Sequence, residues 1–229
     1  MIASVPAGIE TGAQWAATAL AVTLLPAGLA LCTCFPRMLV TLGILRQGLG
    51  LGSVPGGLVM TGLAAALTFA SMGPTLDAAW RGGLASLAAG NSKDPSASLR
   101  GAETPLRTFM FDQLERSGGG ATLATVLRAK GQAIDPAAPP SRRDIDTMTL
   151  LPAYALNELR VACMLGFKLL LPFLAIDLAV AATLASLGMF MTPPTLVSLP
   201  LKLMLFVAVD GWALVSSGLV TGVTGGTVT

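Results

Sequence analysis

Residues 169–212 read LLLPFLAIDLAVAATLASLGMFMTPPTLVSLPLKLMLFVAVDGW, a stretch in which apolar residues dominate and a double proline stands near the middle. A membrane-spanning helix needs about 20 mostly apolar residues to cross roughly 30 Å of hydrocarbon. Proline lacks a backbone N–H donor and bends or ends the helix that contains it. The stretch therefore predicts two apolar helices with a break at Pro193 and Pro194.

Long apolar runs of this kind occur four times along the chain. The segments are A at residues 14–35, B at 57–76, C at 161–191 and D at 196–217. No Lys or Arg precedes segment A, so we expect a retained segment rather than a cleaved signal peptide. Pairing of A with B and of C with D gives two hydrophobic hairpins, over residues 1–80 and 149–229. The expected fold is all-α and membrane-associated, with helices that proline and glycine break where protein packs against them.

Charge is scarce and unevenly distributed. The chain has 229 residues, of which 53% are hydrophobic and 11% charged, against roughly 25% charged in a soluble domain. Of its 14 basic and 12 acidic residues, 8 basic and 7 acidic lie in residues 93–146. Residues 81–148 are therefore predicted to form a small extramembrane insert. It contains two expected helices, one capped by Thr104 and ending at Arg116, the other over residues 121–130.

The basic residues before the insert suggest an orientation. Arg37 and Arg46 lie between segments A and B, whereas no basic residue precedes A. The positive-inside rule places such a connection in the cytoplasm. Both termini and the insert are then expected on the outer side of the membrane.

The composition excludes several classes of function. Histidine is absent, which removes Ser-His-Asp and Cys-His nucleophile systems and HExxH zinc sites. A net charge of +2 offers little attraction for nucleic acid. The three cysteines lie in apolar stretches and are predicted to pack as small hydrophobic residues. No enzyme activity, metal or cofactor is expected.

The glycine-rich residues 48–56 allow two structural interpretations. Gly48, Gly50 and Gly52 fail the nucleotide-binding GxGxxG pattern, because Ser53 occupies the last place. A four-residue glycine spacing through Gly56 could let helices approach closely. A turn at the neighbouring proline is at least as well supported.

Four ionisable residues interrupt the apolar second half, namely Lys168, Asp177, Lys202 and Asp210. Exposing a charge at the bilayer centre costs at least about 2.5 kcal/mol, so such groups usually face protein or water. Asp177 is expected to lie deepest, whereas Lys168 could equally be a snorkelling side chain. Ser198 lies four residues before Lys202, but Pro200 between them disturbs the register, and packing is favoured over a Ser–Lys catalytic dyad.

The stretch Gly188-Met189-Phe190-Met191-Thr192-Pro193-Pro194 concentrates flexible, bulky side chains at the break. A ring of such loops could close tightly around different passengers, because methionine adapts its shape. Hydrophobic constrictions also gate channels by dewetting. The alternative is a turn whose side chains fill a core, and for one chain alone that alternative is favoured.

Several stretches taken together closely resemble the FliP/SctR family, which belongs to the type III export apparatus of bacterial flagella and virulence injectisomes. The resemblance covers most of the chain in the same segment order. The stretches that resemble the family are FPRMLVTLGILRQGLG at residues 35–50, LTFASMGPTLD at 67–77, LLPAYALNELR at 150–160, and residues 169–212.

The resemblance implies a non-enzymatic subunit of a helical channel that passes unfolded proteins across the inner membrane, with part of the assembly on the periplasmic side. It implies a homo-oligomer, expected to hold five copies, with FliQ-like and FliR-like subunits and with FlhB-like and FlhA-like export proteins. LRQ at residues 45–47 and PLRTFM at 105–110 favour a flagellar machine. The missing signal peptide points instead to the alternative, an injectisome subunit.

The resemblance also implies roles for individual residues. Met189, Phe190 and Met191 fall on the family's methionine-rich constriction loop, with Phe190 where methionine is usual. Expected polar contacts within or between subunits are Arg37, Arg46, Gln47, Asp177, Lys202 and Asp210. Lys168 departs from the family, where an apolar residue is usual. A different class of function, a small-solute or ion transporter that uses Asp177 and Lys202 as a coupling pair, is the competing hypothesis.

Overall fold

The computed structural model describes residue 28 and residues 30–52, 54–88, 95–131 and 141–225. Every regular element in these ranges is helical, which confirms the predicted all-α class. Most of segment A lies outside the described residues. The elements are α1 Phe35–Leu49, α2 Gly57–Ala79, a π-helical turn Trp80–Leu84, α3 Ala85–Ala88, α4 Pro95–Arg116, α5 Gly120–Ala129, α6 Thr147–Ser186, α7 Pro194–Ala208 and α8 Gly211–Thr224.

Helix α1 is the centre of the packing. It lies along α6 and also contacts α2 and α7. Its buried side chains Met38, Leu42, Leu45 and Leu49 recur every three or four residues and face one core. The interpretation of residues 37–46 as a connecting segment is therefore wrong. It rested on the charges of Arg37 and Arg46, whereas the apolar stripe between and beyond them forms a helix. The orientation argument loses Arg37, which is buried rather than exposed in a loop.

The glycine-rich residues after α1 form a turn. Gly50 has φ +75°, and its N–H donates to the Gln47 carbonyl at 3.0 Å, a common way for a helix to end. Gly48 alone serves close packing, because a Cβ there would lie 2.8 Å from Leu170 Cδ1. The turn interpretation holds for most of this stretch, and the close-packing interpretation holds for Gly48.

Two long helices satisfy the length and composition of a membrane span. They are the continuous stretch Gly57–Leu84, with 28 residues, and Thr147–Ser186, with 40 residues. The helices α7 and α8 would pass the same test together, but they are bent by 64° at a short break. Segment D is therefore two helices, with a break at a position where the sequence predicted none. The bend lies at Asp210, whose φ of +48° is unusual for a residue other than glycine.

Segment C was placed incorrectly at both ends. Helix α6 begins at Thr147, 14 residues before residue 161, and ends at Ser186, five residues before residue 191. Pro152 and Pro172 lie inside it. The helix is about 60 Å long at 1.5 Å per residue, twice the thickness of the hydrocarbon core. A large part of α6 therefore extends beyond any membrane that it crosses.

The first predicted helix of the insert also begins earlier than expected. Helix α4 begins at Pro95, and Thr104 does not cap it, since its hydroxyl donates to the Arg100 carbonyl at 2.9 Å inside the helix. Pro105 is interior and leaves the carbonyl of Gly101 without its usual helical donor. The end after Arg116 and the second helix, α5, agree with the prediction.

The last residues of the insert are fastened to α4. Arg142 binds Glu115 through two hydrogen bonds of 3.0 and 2.6 Å and pairs with Asp112 at 3.0 Å. The hydrogen bonds that Arg142 donates to Glu115 are the main cause that raises the pKa of Arg142. The guanidinium groups of Arg142 and Arg107 both lie over the Phe111 ring, at 5.6 and 5.4 Å from its centroid.

A close crossing at glycine residues joins the π-helical turn after α2 to α4. A Cβ on Gly101 would lie 2.0 Å from the Gly82 carbonyl oxygen, and one on Gly83 would lie 1.7 Å from the Ser98 carbonyl oxygen. Both obstacles are backbone atoms, which cannot move aside as a flexible side chain can. The crossing therefore requires glycine, which has no Cβ, at these positions.

Replacing Gly101 by alanine is expected to destabilise this crossing by about 1–3 kcal/mol, the usual cost of overpacking. The melting temperature of the chain in mild detergent measures the effect. Gly62→Ala is the matched control, because Gly62 lies in α2 with no neighbour within 4 Å of a Cβ, and alanine should stabilise a helix there. Equal melting temperatures for both variants would contradict the crossing.

Candidate functional site: the methionine loop and its polar anchors

The methionine loop, residues 187–193, is the tight turn between α6 and α7. Gly188 has φ +72°, and the N–H groups of Gly188 and Met189 donate to carbonyls of the last turn of α6, at 3.1 and 2.9 Å. Pro194 opens α7 at the first helical position, where its missing N–H costs nothing. The loop therefore joins two helices directly, and its backbone is fixed at both ends.

The side chains of this loop point away from the fold. Met189 is 46% exposed, Phe190 83% and Met191 97%, and Leu187 and Leu196 beside them are also exposed. A turn whose side chains fill the core of this chain is thereby the less favoured interpretation. Exposed apolar clusters of this kind mark surfaces that contact protein or lipid. The loop is an apolar tip available to other molecules.

An ion pair ties the two helices below this tip. Lys202 Nζ on α7 lies 2.6 Å from Asp177 Oδ2 on α6, and Ser198 Oγ donates to Asp177 Oδ1 at 2.6 Å. Lys202 Nζ also donates to the Gly48 carbonyl at 2.9 Å. That carbonyl belongs to the last turn of α1 and has no hydrogen-bond donor within the helix. The carboxyl end of a helix carries a partial negative charge, which attracts a cation. One ammonium group thus joins α1, α6 and α7.

The burial of this pair differs from the sequence expectation. The Lys202 side chain is 6% exposed and the Asp177 side chain 33%, so Asp177 is not the deeper of the two. Ser198 and Lys202, the candidate dyad, both engage Asp177. About nine residues of α6 separate the pair from the helix end, or about 13 Å. The methionine loop therefore extends well beyond its anchor.

A second, fully buried ion pair lies in another part of the fold. Arg37 Nη2 on α1 lies 2.6 Å from Glu158 Oε1 on α6, and both side chains are at most 2% exposed. The same nitrogen donates to Gln113 Oε1 on α4 at 3.3 Å. Because an unpaired charge in this position would be very costly, the pair holds three helices in one arrangement.

The end of α8 is attached to this second pair. Arg37 Nη1 donates to the Gly222 carbonyl at 3.2 Å, and Gln113 Nε2 donates to the Val223 carbonyl at 2.5 Å. Arg116 also donates to Val223, at 3.1 Å. The last carbonyls of a helix lack partners within it, so these side chains supply the donors that a buried helix end needs.

The remaining predicted polar residues lie nearer the surface. Arg46 Nη1 donates to the Pro55 carbonyl at 3.2 Å and so supports the turn after α1. The Gln47 side chain is exposed, and Asp210 occupies the bend between α7 and α8. Within the described ranges, Asp210 forms no ion pair. These three residues do not join the two buried pairs.

The cysteines differ in their surroundings. Cys34 is buried, Cys32 is half-buried and Cys163 is exposed, and all three are free thiols. The prediction of packing residues fits Cys34, whose N–H donates to Met72 Sδ at 3.3 Å. It does not fit Cys163, which lies on the outer surface of α6.

Sequence reasoning missed Glu158 and Gln113. Glu158 stands within LLPAYALNELR at residues 150–160, just before the predicted start of segment C at residue 161. The signal that could have found Glu158 is the presence of Arg37 in an apolar stretch. A buried arginine needs an acidic partner, and few acidic residues lie outside the insert. Gln113 gives no such signal, since its role depends on where α8 ends.

Comparison with known proteins gives a consistent result. The profile of the FliP family matches residues 19–219. The chain is 37% identical over 195 residues to the flagellar biosynthetic protein FliP of Rhizobium meliloti strain 1021, covering 85% of this chain and 77% of that protein. It is 40% identical over 197 residues to the protein of the same name from Pectobacterium carotovorum, and the match covers 86% of this chain and 73% of that protein. The Bacillus subtilis strain 168 protein is 37% identical over 194 residues, covering 85% and 84%.

Proposed function

Because the chain belongs to the FliP family of type III export components, we propose that it is a channel subunit that passes unfolded flagellar proteins across the bacterial inner membrane. Its apolar helices support a membrane location. The observation that carries the proposal is the methionine loop, an exposed apolar tip on two helices that an ion pair joins. Several such tips around an axis would close a channel without a covalent or charged gate.

The channel requires several copies of the chain and further subunits. We propose a homo-oligomer, expected to hold five copies, with FliQ-like and FliR-like subunits and contacts with FlhB-like and FlhA-like export proteins. The length of α6 supports a part of the assembly beyond the membrane, and residues 81–148 are proposed to lie on the periplasmic side. The chain is proposed to catalyse nothing, so a separate source of energy must drive export.

The gate proposal is tested by deleting Met189, Phe190 and Met191. The deletion should raise the ion permeability of liposomes that contain the purified assembly from background to that of an open pore, because the apolar constriction is lost. The double substitution of Leu58 and Val59 by alanine is the control, since both residues are exposed and apolar but lie at the start of α2. An unchanged leak in the deletion variant, with the assembly intact, would rule out the gate.

The flagellar assignment is supported by the relatives described above, all named as flagellar proteins. Deleting the gene and scoring swimming and effector secretion separately tests it. Loss of swimming alone is the expected result. Loss of effector secretion alone would favour the injectisome alternative.

A further inference from the structure

Lys168 is an exposed cation on an apolar surface of α6. Its neighbours Met164, Phe167 and Leu171 on the same helix are exposed as well. Throughout the described part of the chain, Lys168 has no ion pair. A charge on such a surface is costly unless a counter-charge or water reaches it. Among the described residues, no acid supplies that counter-charge.

Two apolar cavities meet at Lys168. The larger, of about 410 Å³, opens between α6, α7 and α8, and the smaller, of about 120 Å³, lies between α1, α6 and α8. Both share the lining residues Lys168, Leu169, Leu214 and Val215. Small-molecule sites commonly have volumes of about 300–1,000 Å³, apolar walls and a few polar groups that fix orientation. The larger cavity has this character, with one cation at its edge.

No acid among the described residues pairs with Lys168. Asp177 is engaged by Lys202 and Ser198. Asp210 lies between two residues that line the larger cavity, Val209 and Gly211, but makes no ion pair with Lys168 in the described structure. Another molecule can supply the counter-charge, and thin apolar groups of that molecule would fit the cavities.

We propose that one anionic phospholipid binds here, with its phosphate on Lys168 and parts of its acyl chains in the two cavities. Anionic headgroups attract lysine at a membrane surface, and acyl chains are narrow and flexible enough to enter both recesses. A helix of a protein partner is about 10–12 Å wide with its side chains, so only single side chains of it could enter these cavities. The shape of the recesses therefore favours lipid.

The test measures phosphatidylglycerol retained by the full chain, extracted with its assembly in mild detergent, by native mass spectrometry and lipid extraction. Wild type and Lys168→Arg should retain the lipid. Lys168→Leu should weaken retention about fivefold, the contribution of one lysine near an anionic headgroup. Leu214→Trp keeps the charge but narrows both cavities, and it should also reduce retention. Lys130→Leu, which removes a distant exposed lysine, should not.

Three results would overturn the proposal. Lys168→Leu could retain as much phosphatidylglycerol as wild type. Inorganic phosphate could displace the lipid, which would show recognition of an anion alone. A photo-crosslinker at Lys168 could label a companion protein and no lipid, which would show a protein contact. If Lys168→Leu fails to assemble, the proposal is tested by Leu214→Trp alone. This variant narrows the cavities and keeps the charge, so unchanged lipid retention in it would also overturn the proposal.

Discussion

Replacing Glu158 by alanine is expected to lower the free energy of unfolding by about 3–5 kcal/mol. The change leaves Arg37, a residue that is 1% exposed, without its acid. Water cannot replace the carboxylate there without opening the contact between α1 and α6. The melting temperature of the chain in mild detergent, followed by loss of the monodisperse peak in gel filtration, measures the effect.

Two further variants distinguish the effect of breaking the buried Arg37–Glu158 pair from the effect of removing any charge. The double substitution Arg37→Met, Glu158→Met should cost less than Glu158→Ala, because no buried charge remains. It should still cost about 1–3 kcal/mol, since the Gly222 carbonyl loses its donor. Asp77→Ala breaks an exposed pair with Arg81 and should stay within about 0.5 kcal/mol. A Glu158→Ala variant as stable as Asp77→Ala would contradict the role of the buried pair.

The general features of the fold follow from local signals in the sequence. The apolar run of α2, the glycines after Arg116 and the positive-φ glycine after α5 all act within a few residues. Such signals predict an element without knowledge of its neighbours. The helical class, α2 and α5 could therefore be predicted, whereas the break at Asp210 inside segment D was not.

The start of α6 depends on a distant partner. Glu158 and Arg160 interrupt the apolar run and suggest that the membrane helix begins after them. In the structure Glu158 is paired with Arg37, 121 residues away, so the helix continues through it. No pattern within α6 reports that pairing. The same boundary error kept Glu158 out of the set of buried ionisable residues.

The burial of Lys202 could not be predicted for a related reason. Its ammonium binds the end of α1, and residues 37–46 were interpreted as a connection rather than a helix. The pairing of Asp177 with Lys202 was one of several open possibilities. Which of the two is deeper depends on a carbonyl 154 residues from Lys202, and spacing along one helix carries no information about that.

Replacing Asp177 by alanine is expected to destabilise the chain by about 3 kcal/mol, the lower end of the range for a buried pair, because Asp177 is one-third exposed. Lys202 would keep only the Gly48 carbonyl as partner. Ser198→Ala is the matched control, since it removes one hydrogen bond to the same carboxylate and should cost about 1 kcal/mol. Melting temperatures in mild detergent compare the two variants.

Asp177→Asn decides between an anchor and a coupling pair. As an anchor, the residue holds α6 against α7 below the methionine loop, so the amide should weaken assembly and raise the background leak of the channel at every pH. A coupling pair acts by changing its charge, so the amide should leave the melting temperature unchanged and abolish a pH-dependent flux through the purified homo-oligomer. We expect the first result, because Lys202 is held by Asp177 and a helix end together. Observation of the second would replace the channel proposal with the transporter.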